Sequence, residues 1–265
     1  MNALPVRALA VFAAFAVFAP ACTDTSDGGD AEAPYDGTTE SLPNGALEFG
    51  TGDFATTGTA GFPTANAPQA ISLWVQYATG SGSQVFLSLR SDFASGVNLG
   101  IHDGQIAAWP VYPGPVLVAT STLPTAGAWH HVAFVLDRTD AGAPSETLYV
   151  DGVAAATATV APDKLTPLAS WIGSLDGTSD DFAGVMDEIR IWNVARTSAQ
   201  IQDDMNGTTA ADAPGLAAYF DCDSIHGTRV PDVSGNGNDA TLGGGNPARM
   251  PSLVPSTVPR GSPDE

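Results

Sequence analysis

Short alternations of apolar and polar residues recur along most of the chain. In residues 70–78, Ile, Leu, Val and Tyr alternate with Ser, Trp and Gln, and residues 129–138 show the same period. Side chains alternate across a pleated strand, so each segment offers one apolar face to a core. Asp-Gly pairs at 103–104 and 151–152 stand between such segments and predict tight hairpin turns. The pattern predicts an all-β protein of two packed antiparallel sheets.

The stretch 182–202 reads as a strand followed at once by a short helix. Alternation assigns four residues to one face of the strand: Val185, Asp187, Ile189 and Ile191. It assigns the next four to the other face: Met186, Glu188, Arg190 and Trp192. Thr197 and Gln200 have the spacing of a capping box, which predicts one short helix near residues 198–205. Asp187 would then lie among Val and Ile, where a carboxylate must be hydrogen-bonded, ion-paired or bound to a metal.

Four motifs in a fixed order carry a family resemblance. The stretch 182–193 resembles the closing strand of laminin-G-like, concanavalin A-like jelly-roll domains. Three further motifs resemble the opening strand, the central pair and the tail of such domains: residues 46–49, residues 129–134 with 148–152, and residues 216–220 with 232–238. The resemblance implies an antiparallel two-sheet jelly-roll β-sandwich over residues 45–245. This fold hosts lectins, adhesion modules and hydrolases, so the fold alone does not assign a function.

The N-terminal residues are expected to lie outside this domain. In residues 1–21, Arg7 precedes an apolar run that is too short to span a bilayer, which is typical of a signal peptide. The bond before Cys22 fits either an ordinary signal-peptidase site or a lipobox with Cys22 acylated. Residues 22–44 are predicted to form a disordered acidic tether, and the proline-containing residues 246–265 a disordered tail. We therefore expect a secreted protein, anchored by lipid at the outer membrane or cell surface.

Charge and cysteine content restrict the partners. The formal charge of −20 and the pI near 4.1 leave no basic patch to neutralise phosphates, which argues against nucleic acid. Contact with an anionic membrane is expected only through a lipid at Cys22. The second cysteine, Cys222, is then a lone buried thiol. A disulfide between Cys22 and Cys222 is the alternative if Cys22 carries no lipid.

The resemblance also implies a metal. In domains of this family, the strand corresponding to that of Asp187 often shares a structural ion with the opening strand. The implied structural Ca²⁺ ligands are Asp187, Asp53 and Glu48, and the alternative is a hydrogen-bonded Asp187. Gly50 stands where the family usually has a first aspartate. Residues 232–239 also space oxygen-bearing side chains as calcium loops do, but a turn is favoured there.

The sequence contains no recognisable catalytic motif. A glycosidase needs two carboxyl groups about 5 to 9.5 Å apart. Asp187 and Glu188 are adjacent, so strand alternation sends them to opposite faces. The same reasoning separates His130 from His131, and no Gly-x-Ser-x-Gly elbow occurs. A non-enzymatic protein is therefore predicted.

Aromatic residues in loops favour glycan binding, because aromatic rings stack on sugar rings. Trp109 and Tyr112 flank a proline-rich break and are the predicted ligand-binding residues, with Trp74 a weaker candidate. The remaining tryptophans are expected to pack against the sandwich: Trp129, Trp171 and Trp192. Packing against the sandwich is also the alternative for Trp109. The predicted function is recognition of a glycan. A surface-protein partner, a structural envelope role and a glycoside hydrolase of the same fold are the alternatives.

Overall fold

Two antiparallel β-sheets pack face to face in the computed structural model. The structure describes residues 38–63, 67–90, 96–110, 117–118, 123–139, 144–159 and 169–259. In chain order the strands are β1 (Thr39–Ser41), β2 (Gly45–Phe49), β3 (Ala55–Thr57), β4 (Gln69–Tyr77), β5 (Gln84–Arg90), β6 (Gly96–His102), β7 (Gln105–Pro110), β8 (Leu117–Val118), β9 (His130–Asp137), β10 (Ser145–Val150), β11 (Val153–Thr159), β12 (Ala169–Ile172), β13 (Gly184–Trp192), β14 (Leu216–Phe220), β15 (Ser224–His226), β16 (Arg229–Val230), β17 (Ala240–Leu242) and β18 (Ser252–Pro255). The α-helix α1 (Ser198–Met205) lies between β13 and β14.

The strands divide between a ten-stranded and an eight-stranded sheet within the described ranges. The ten-stranded sheet has the order β1-β15-β16-β17-β3-β12-β5-β6-β7-β8. The eight-stranded sheet has the order β11-β10-β9-β4-β13-β2-β18, with β14 also paired to β13. This arrangement confirms the predicted jelly-roll sandwich.

The core lies between the two sheets and follows the predicted alternation. In β4, the four inward apolar side chains are fully buried: Ile71, Leu73, Val75 and Tyr77. They pack in one cluster with apolar side chains of the other sheet, such as Leu87, Leu99 and Ile172. Burying a side chain of this size stabilises the fold by about 1.5 to 3 kcal/mol.

The short helix and the two hairpin turns agree with the sequence. The Thr197 side chain accepts a hydrogen bond from the Gln200 amide, and the Gln200 side chain accepts one from the Thr197 amide, which completes the predicted capping box. Ile201 of α1 packs in a second apolar cluster with Ala70, Val135 and other outward side chains of the eight-stranded sheet. Both Asp-Gly turns have positive φ at each residue, 49° and 73° at 103–104 and 50° and 74° at 151–152.

A β-bulge in β13 changes which face Asp187 occupies. Asp187 pairs with Trp74 of β4, and Arg190 pairs with Ser72, so β13 carries one extra residue between these pairs. Glu188 has a φ of 55° at this point. The extra residue reverses the alternation, because Met186 faces the core together with Ile189 and Ile191.

Two sequence predictions about β13 are wrong for this reason. Asp187 lies on the outer face with Trp74, and is not placed among the inward Val and Ile side chains. The Glu188 carboxylate bonds Tyr219, which pairs with Arg190, so it lies on the same outer face. The adjacent acids therefore do not point to opposite faces of the sheet.

The ends of the predicted domain also needed correction. The expected disordered tail contains β18, whose residues pair with β2 from Ser252 opposite Glu48 to Pro255 opposite Gly45. Proline is tolerated here because β18 is an edge strand. The expected disordered tether contains β1, which pairs with β15. The composition of both segments resembles disorder, but distant strands supply their hydrogen-bond partners.

Cys222 is a free and fully buried thiol, and burial raises its pKa well above the usual range. Cys22 and the predicted signal peptide lie outside the described residues, all of which belong to one unit, residues 33–265. In the part of the chain that the structure describes, no helix has the length and apolar character needed to cross a membrane.

Candidate functional site

A row of polar and aromatic side chains crosses the outer face of the ten-stranded sheet. Six residues, each paired with the next across neighbouring strands, form this tryptophan row: Thr241, Thr56, Trp171, Ser88, Asn98 and Trp109. Directly paired residues share a face of a sheet. Their chain neighbours Leu87, Leu99 and Ile172 belong to the core, so the row faces away from it.

Two half-buried indoles stand near one end and the middle of the row. Trp171 and Trp109 are separated by three strand steps, which places their backbones about 14 Å apart. Ser88 and Asn98 lie between them, and both are buried. The Ser88 hydroxyl donates a hydrogen bond of 2.8 Å to Asn98 Oδ1. The two indoles are therefore separated by a pair of buried polar side chains that are hydrogen-bonded to each other.

An arginine supports Trp171. The Arg90 guanidinium carbon lies 5.8 Å from the ring centroid, its Nη1 donates to the Leu175 carbonyl at 3.2 Å, and Asp176 Oδ2 lies 3.9 Å away. Burial alone would raise the pKa of Asp176, but hydrogen bonds from Thr178 and Ser179 and the charge of Arg90 lower it below its ordinary value. Asp176 is therefore ionised, and its side chain is 27% exposed.

A histidine supports Trp109. The rings of His102 and Trp109 are stacked, with centroids 5.0 Å apart and planes inclined by 29°. His102 Nδ1 lies 3.2 Å from the Ser83 hydroxyl, and Nε2 lies 3.7 Å from Asp103 Oδ2. Each indole of the row is thus backed by a basic side chain that has a carboxylate beside it.

An acidic loop, residues 174–181, borders the row. Asp176, Asp180 and Asp181 belong to it, and Ser174 Oγ lies 2.9 Å from Asp181 Oδ1. Burial raises the pKa of Asp180, the charge of His102 opposes that effect, and the two neighbouring carboxylates reinforce it. Asp180 is therefore close enough to His102, Asp176 and Asp181 to interact with their charges.

The predicted ligand-binding residues have different outcomes. Trp109 lies in the tryptophan row, whereas Tyr112 falls outside the described residues. Trp74 is 5% exposed, and its Nε1 donates to the Met205 carbonyl at the end of α1, so it holds the helix. Trp171 was expected to pack away, but is half-buried on the same face as Trp109. Only the pairing register, which involves strands far apart in sequence, reveals this partner.

The predicted calcium ligands do not converge on one position. Asp187 is fully buried, and its Oδ2 accepts a 2.6 Å hydrogen bond from the Ser256 hydroxyl. Glu48 is exposed on β2, and Asp53 Oδ2 accepts from the Gly50 amide at 2.7 Å. No three acidic, histidine or cysteine side chains group as metal ligands anywhere in the described ranges. Calcium binding by this chain stays a prediction for experiment.

The Asp187–Glu188 pair offers no open acid site. Glu188 is 2% exposed, and its Oε2 accepts from Arg190 Nη2 at 2.5 Å and from the Tyr219 hydroxyl at 2.8 Å. The Arg190 guanidinium also lies 4.0 Å from the Tyr219 ring centroid. Both carboxylates are therefore engaged in buried contacts on the outer face of the eight-stranded sheet.

The loop over residues 232–239 is a hydrogen-bonded turn. Asp232 Oδ1 accepts from the Tyr219 amide and from the amide and hydroxyl of Ser234, and Oδ2 accepts from the Asn238 amide. The Asn238 side chain in turn bonds both backbone groups of Ala60. These contacts tie the loop to two other parts of the chain.

The two adjacent histidines occupy different surroundings. His131 is 1% exposed, meets Trp74 edge-on at 5.4 Å between centroids, and has no hydrogen-bond partner for either ring nitrogen. Burial, aided by the charge of Arg190, lowers its pKa to about 3. His130 stacks on Tyr77 instead. The pair does not form a metal site.

Residues 49–202, more than half of the 265 in the chain, match the laminin G model described as the concanavalin A-like lectin/glucanases superfamily. A candidate carbohydrate-binding protein from Bacteroides ovatus superposes with a TM-score of 0.65 at 19% identity, over 82% of this chain and 61% of that one. The present chain therefore spans less than two thirds of that relative. No curated protein matches the sequence.

Two further solved structures are more distant. Domain 4 of the arabinanase AbnA from Geobacillus stearothermophilus, in complex with arabinotriose, gives a TM-score of 0.49 at 22% identity, over 63% of this chain and 86% of that one. CBM40 of the Ruminococcus gnavus IT-sialidase, bound to sialyllactose, gives 0.42 at 14% identity, over 52% and 83%. At these identities the similarities concern the fold alone. Of the three structures described, the Bacteroides ovatus protein superposes well enough to support the fold, and the other two do not.

Proposed function

Because the chain belongs to the concanavalin A-like lectin/glucanase superfamily, we propose that it is a non-catalytic module that binds glycans on the tryptophan row. The supporting observation is the pair of half-buried indoles, Trp171 and Trp109, fixed on one sheet face. Aromatic rings stack on the apolar faces of sugars, while nearby polar groups bond the hydroxyls. Asp176 and His102, beside the indoles and partly exposed, supply such groups.

A glycan fits the surface better than an apolar protein partner does. Among the described residues, the exposed large hydrophobic side chains are Val153 and Val194. A contiguous exposed apolar patch of several hundred Å² would mark a protein-binding surface. Two separate valines do not provide one.

The expectations for the N-terminus extend this proposal to a location. Export through the predicted signal peptide, followed by acylation of Cys22, would hold the glycan-binding module at a membrane surface. A lipid anchor and an extracytoplasmic glycan ligand are consistent with each other.

A glycan array followed by calorimetric titration tests the function. Trp109→Ala and Trp171→Ala should each weaken affinity about tenfold, because each removes one stacking surface. Trp129→Ala is the matched control, since Trp129 is also half-buried but bonds Thr257, outside the row. Absence of binding to every glycan, or equal loss in the Trp129 variant, would contradict the proposal. Circular dichroism of each variant confirms folding.

A further inference from the structure

The exposed charge around the two indoles of the tryptophan row is negative, whereas the half-buried cation Arg229 pairs with Thr241 at the far end of the row. Asp103 is 89% exposed and Asp176 is 27% exposed at the side chain. The cation nearest Trp171, Arg90, is only 6% exposed and already bonds the Leu175 carbonyl beside Asp176. His102, the basic group at Trp109, has Asp103 3.7 Å away. Asp103 and Asp176 therefore both reach the surface near the indoles, and the partly exposed His102 lies beside Asp103.

The dimensions of the row require an extended ligand. The backbones of Trp171 and Trp109 are about 14 Å apart, which exceeds the width of a single sugar ring. Beyond Trp171 the row continues across two more strands with the half-buried hydroxyl residues Thr56 and Thr241. A ligand that uses both indoles must run across the strands, and further units of the same ligand would meet these hydroxyls.

We infer that the tryptophan row binds an uncharged, extended oligosaccharide and discriminates against sugar acids. This inference rests on the proposed glycan-binding function and adds the chemical class of the glycan. A uronic, sialic or sulfated unit would bring its negative charge beside Asp103, Asp176 and Asp180. Like charges repel, and the chain as a whole carries a formal charge of −20. Hydroxyl groups of a neutral sugar bring no charge, and those near Trp171 can donate hydrogen bonds to Asp176.

Substitution of two of these aspartates by asparagine would remove negative charge without changing the side-chain volume. Asp103 and Asp180 both have positive φ, 49° and 50°. Asparagine tolerates this left-handed conformation as well as aspartate does. The double variant Asp103→Asn/Asp180→Asn should therefore fold like the wild type, and a thermal melt confirms that it does.

The experiment is a calorimetric titration with matched probes. Cellohexaose and other neutral hexaoses are compared with their counterparts oxidised to uronates at C6, and with the corresponding disaccharides. We expect the uronates to bind at least tenfold more weakly than the neutral hexaoses at low salt, and the disaccharides at least tenfold more weakly too. Added salt and the double variant should both reduce the uronate penalty, and should change neutral binding less than twofold.

Different results overturn different statements. Uronates that bind as tightly as neutral hexaoses, with affinity still lost in the Trp109 and Trp171 variants, would overturn the charge inference and leave the glycan function standing. Disaccharides that bind as tightly as hexaoses would overturn the extended mode. A chain that binds none of these probes and no glycan on the array would overturn both the function and the inference.

Discussion

The outer faces of the two sheets carry the same three kinds of residue in opposite settings. On the eight-stranded sheet, Trp192 is fully buried, and the Arg196 guanidinium carbon lies 3.8 Å from its ring centroid. Arg196 Nη2 bonds Asp204 Oδ1 at 2.9 Å, and Asp204 also accepts from the hydroxyls of Ser72 and Thr209. Helix α1, which carries Asp204, covers this face.

On the ten-stranded sheet, Trp171, Arg90 and Asp176 form a looser version of the same group. The arginine lies 5.8 Å from the indole centroid and 3.9 Å from the carboxylate, and the indole is half-buried. The comparison shows that a Trp–Arg–Asp group does not by itself identify a binding site. The exposure of such a group decides whether it can pack against a helix or bind a ligand.

The largest expected difference between the two groups concerns stability. Asp204→Ala should lower the free energy of unfolding by about 3 to 5 kcal/mol, because it leaves the buried Arg196 charge without its partner. Asp176→Ala should cost less, about 1 to 2 kcal/mol, since that ion pair is wider and the hydrogen bonds that Asp176 accepts from Thr178 and Ser179 are partly solvated. Urea unfolding measures both. Asp203→Ala is the exposed control and should stay within about 0.5 kcal/mol of wild type; similar losses at Asp204 and Asp176 would refute the distinction.

The covered face should also make stability depend on pH. In the folded chain the pKa of His131 is about 3, against an ordinary value of 6.5. Between these values the unfolded chain binds the proton and the folded chain does not, so stability falls as pH decreases, by up to about 1.4 kcal/mol per pH unit.

Urea unfolding of His131→Phe across this pH range isolates the histidine. The variant should lose this part of the pH dependence, while His226→Phe, at an exposed histidine, should keep it. A His131→Phe profile parallel to that of the wild type would show that His131 does not titrate as described.

A smaller effect is expected at the bulge. Asp187→Ala should lower the free energy of unfolding by about 1 to 3 kcal/mol, because the Ser256 hydroxyl and the Glu188 amide lose their acceptor. Thermal melts with calcium and with chelator test the calcium prediction at the same time. A calcium-dependent rise in the wild type that Asp187→Ala abolishes would support an ion at this strand. A loss that is equal in both conditions would leave Asp187 as a hydrogen-bonding acid.

Much of the fold could be predicted from local sequence. The period-two pattern of β4, the Asp-Gly turns and the Thr197–Gln200 capping box each depend on residues close together in the chain, and each appears in the structure. The family resemblance added the order of the sheets' principal motifs. Local chemistry and global fold agree in these segments.

The errors arose where distant pairing decides the outcome. The residue with positive φ in the bulge is Glu188, and a glutamate does not signal such a conformation in the sequence as a glycine would. Simple alternation therefore placed Asp187 on the wrong face. The tail has no local strand signature, and its strand forms by pairing with the distant strand β2. The tryptophan row joins Trp171 to Trp109 through two intervening strands, and the sequence does not state that register.

The pairing of early strands with late ones also has a consequence for folding. Strand β2 pairs with β13 and β18, and β3 pairs with β12 and β17. These N-terminal strands therefore have no partners until most of the chain has been synthesised, and topologies dominated by such non-local contacts fold slowly. If the chain is exported as its N-terminus predicts, this delay would keep it unfolded during passage and let the sandwich close on the far side of the membrane.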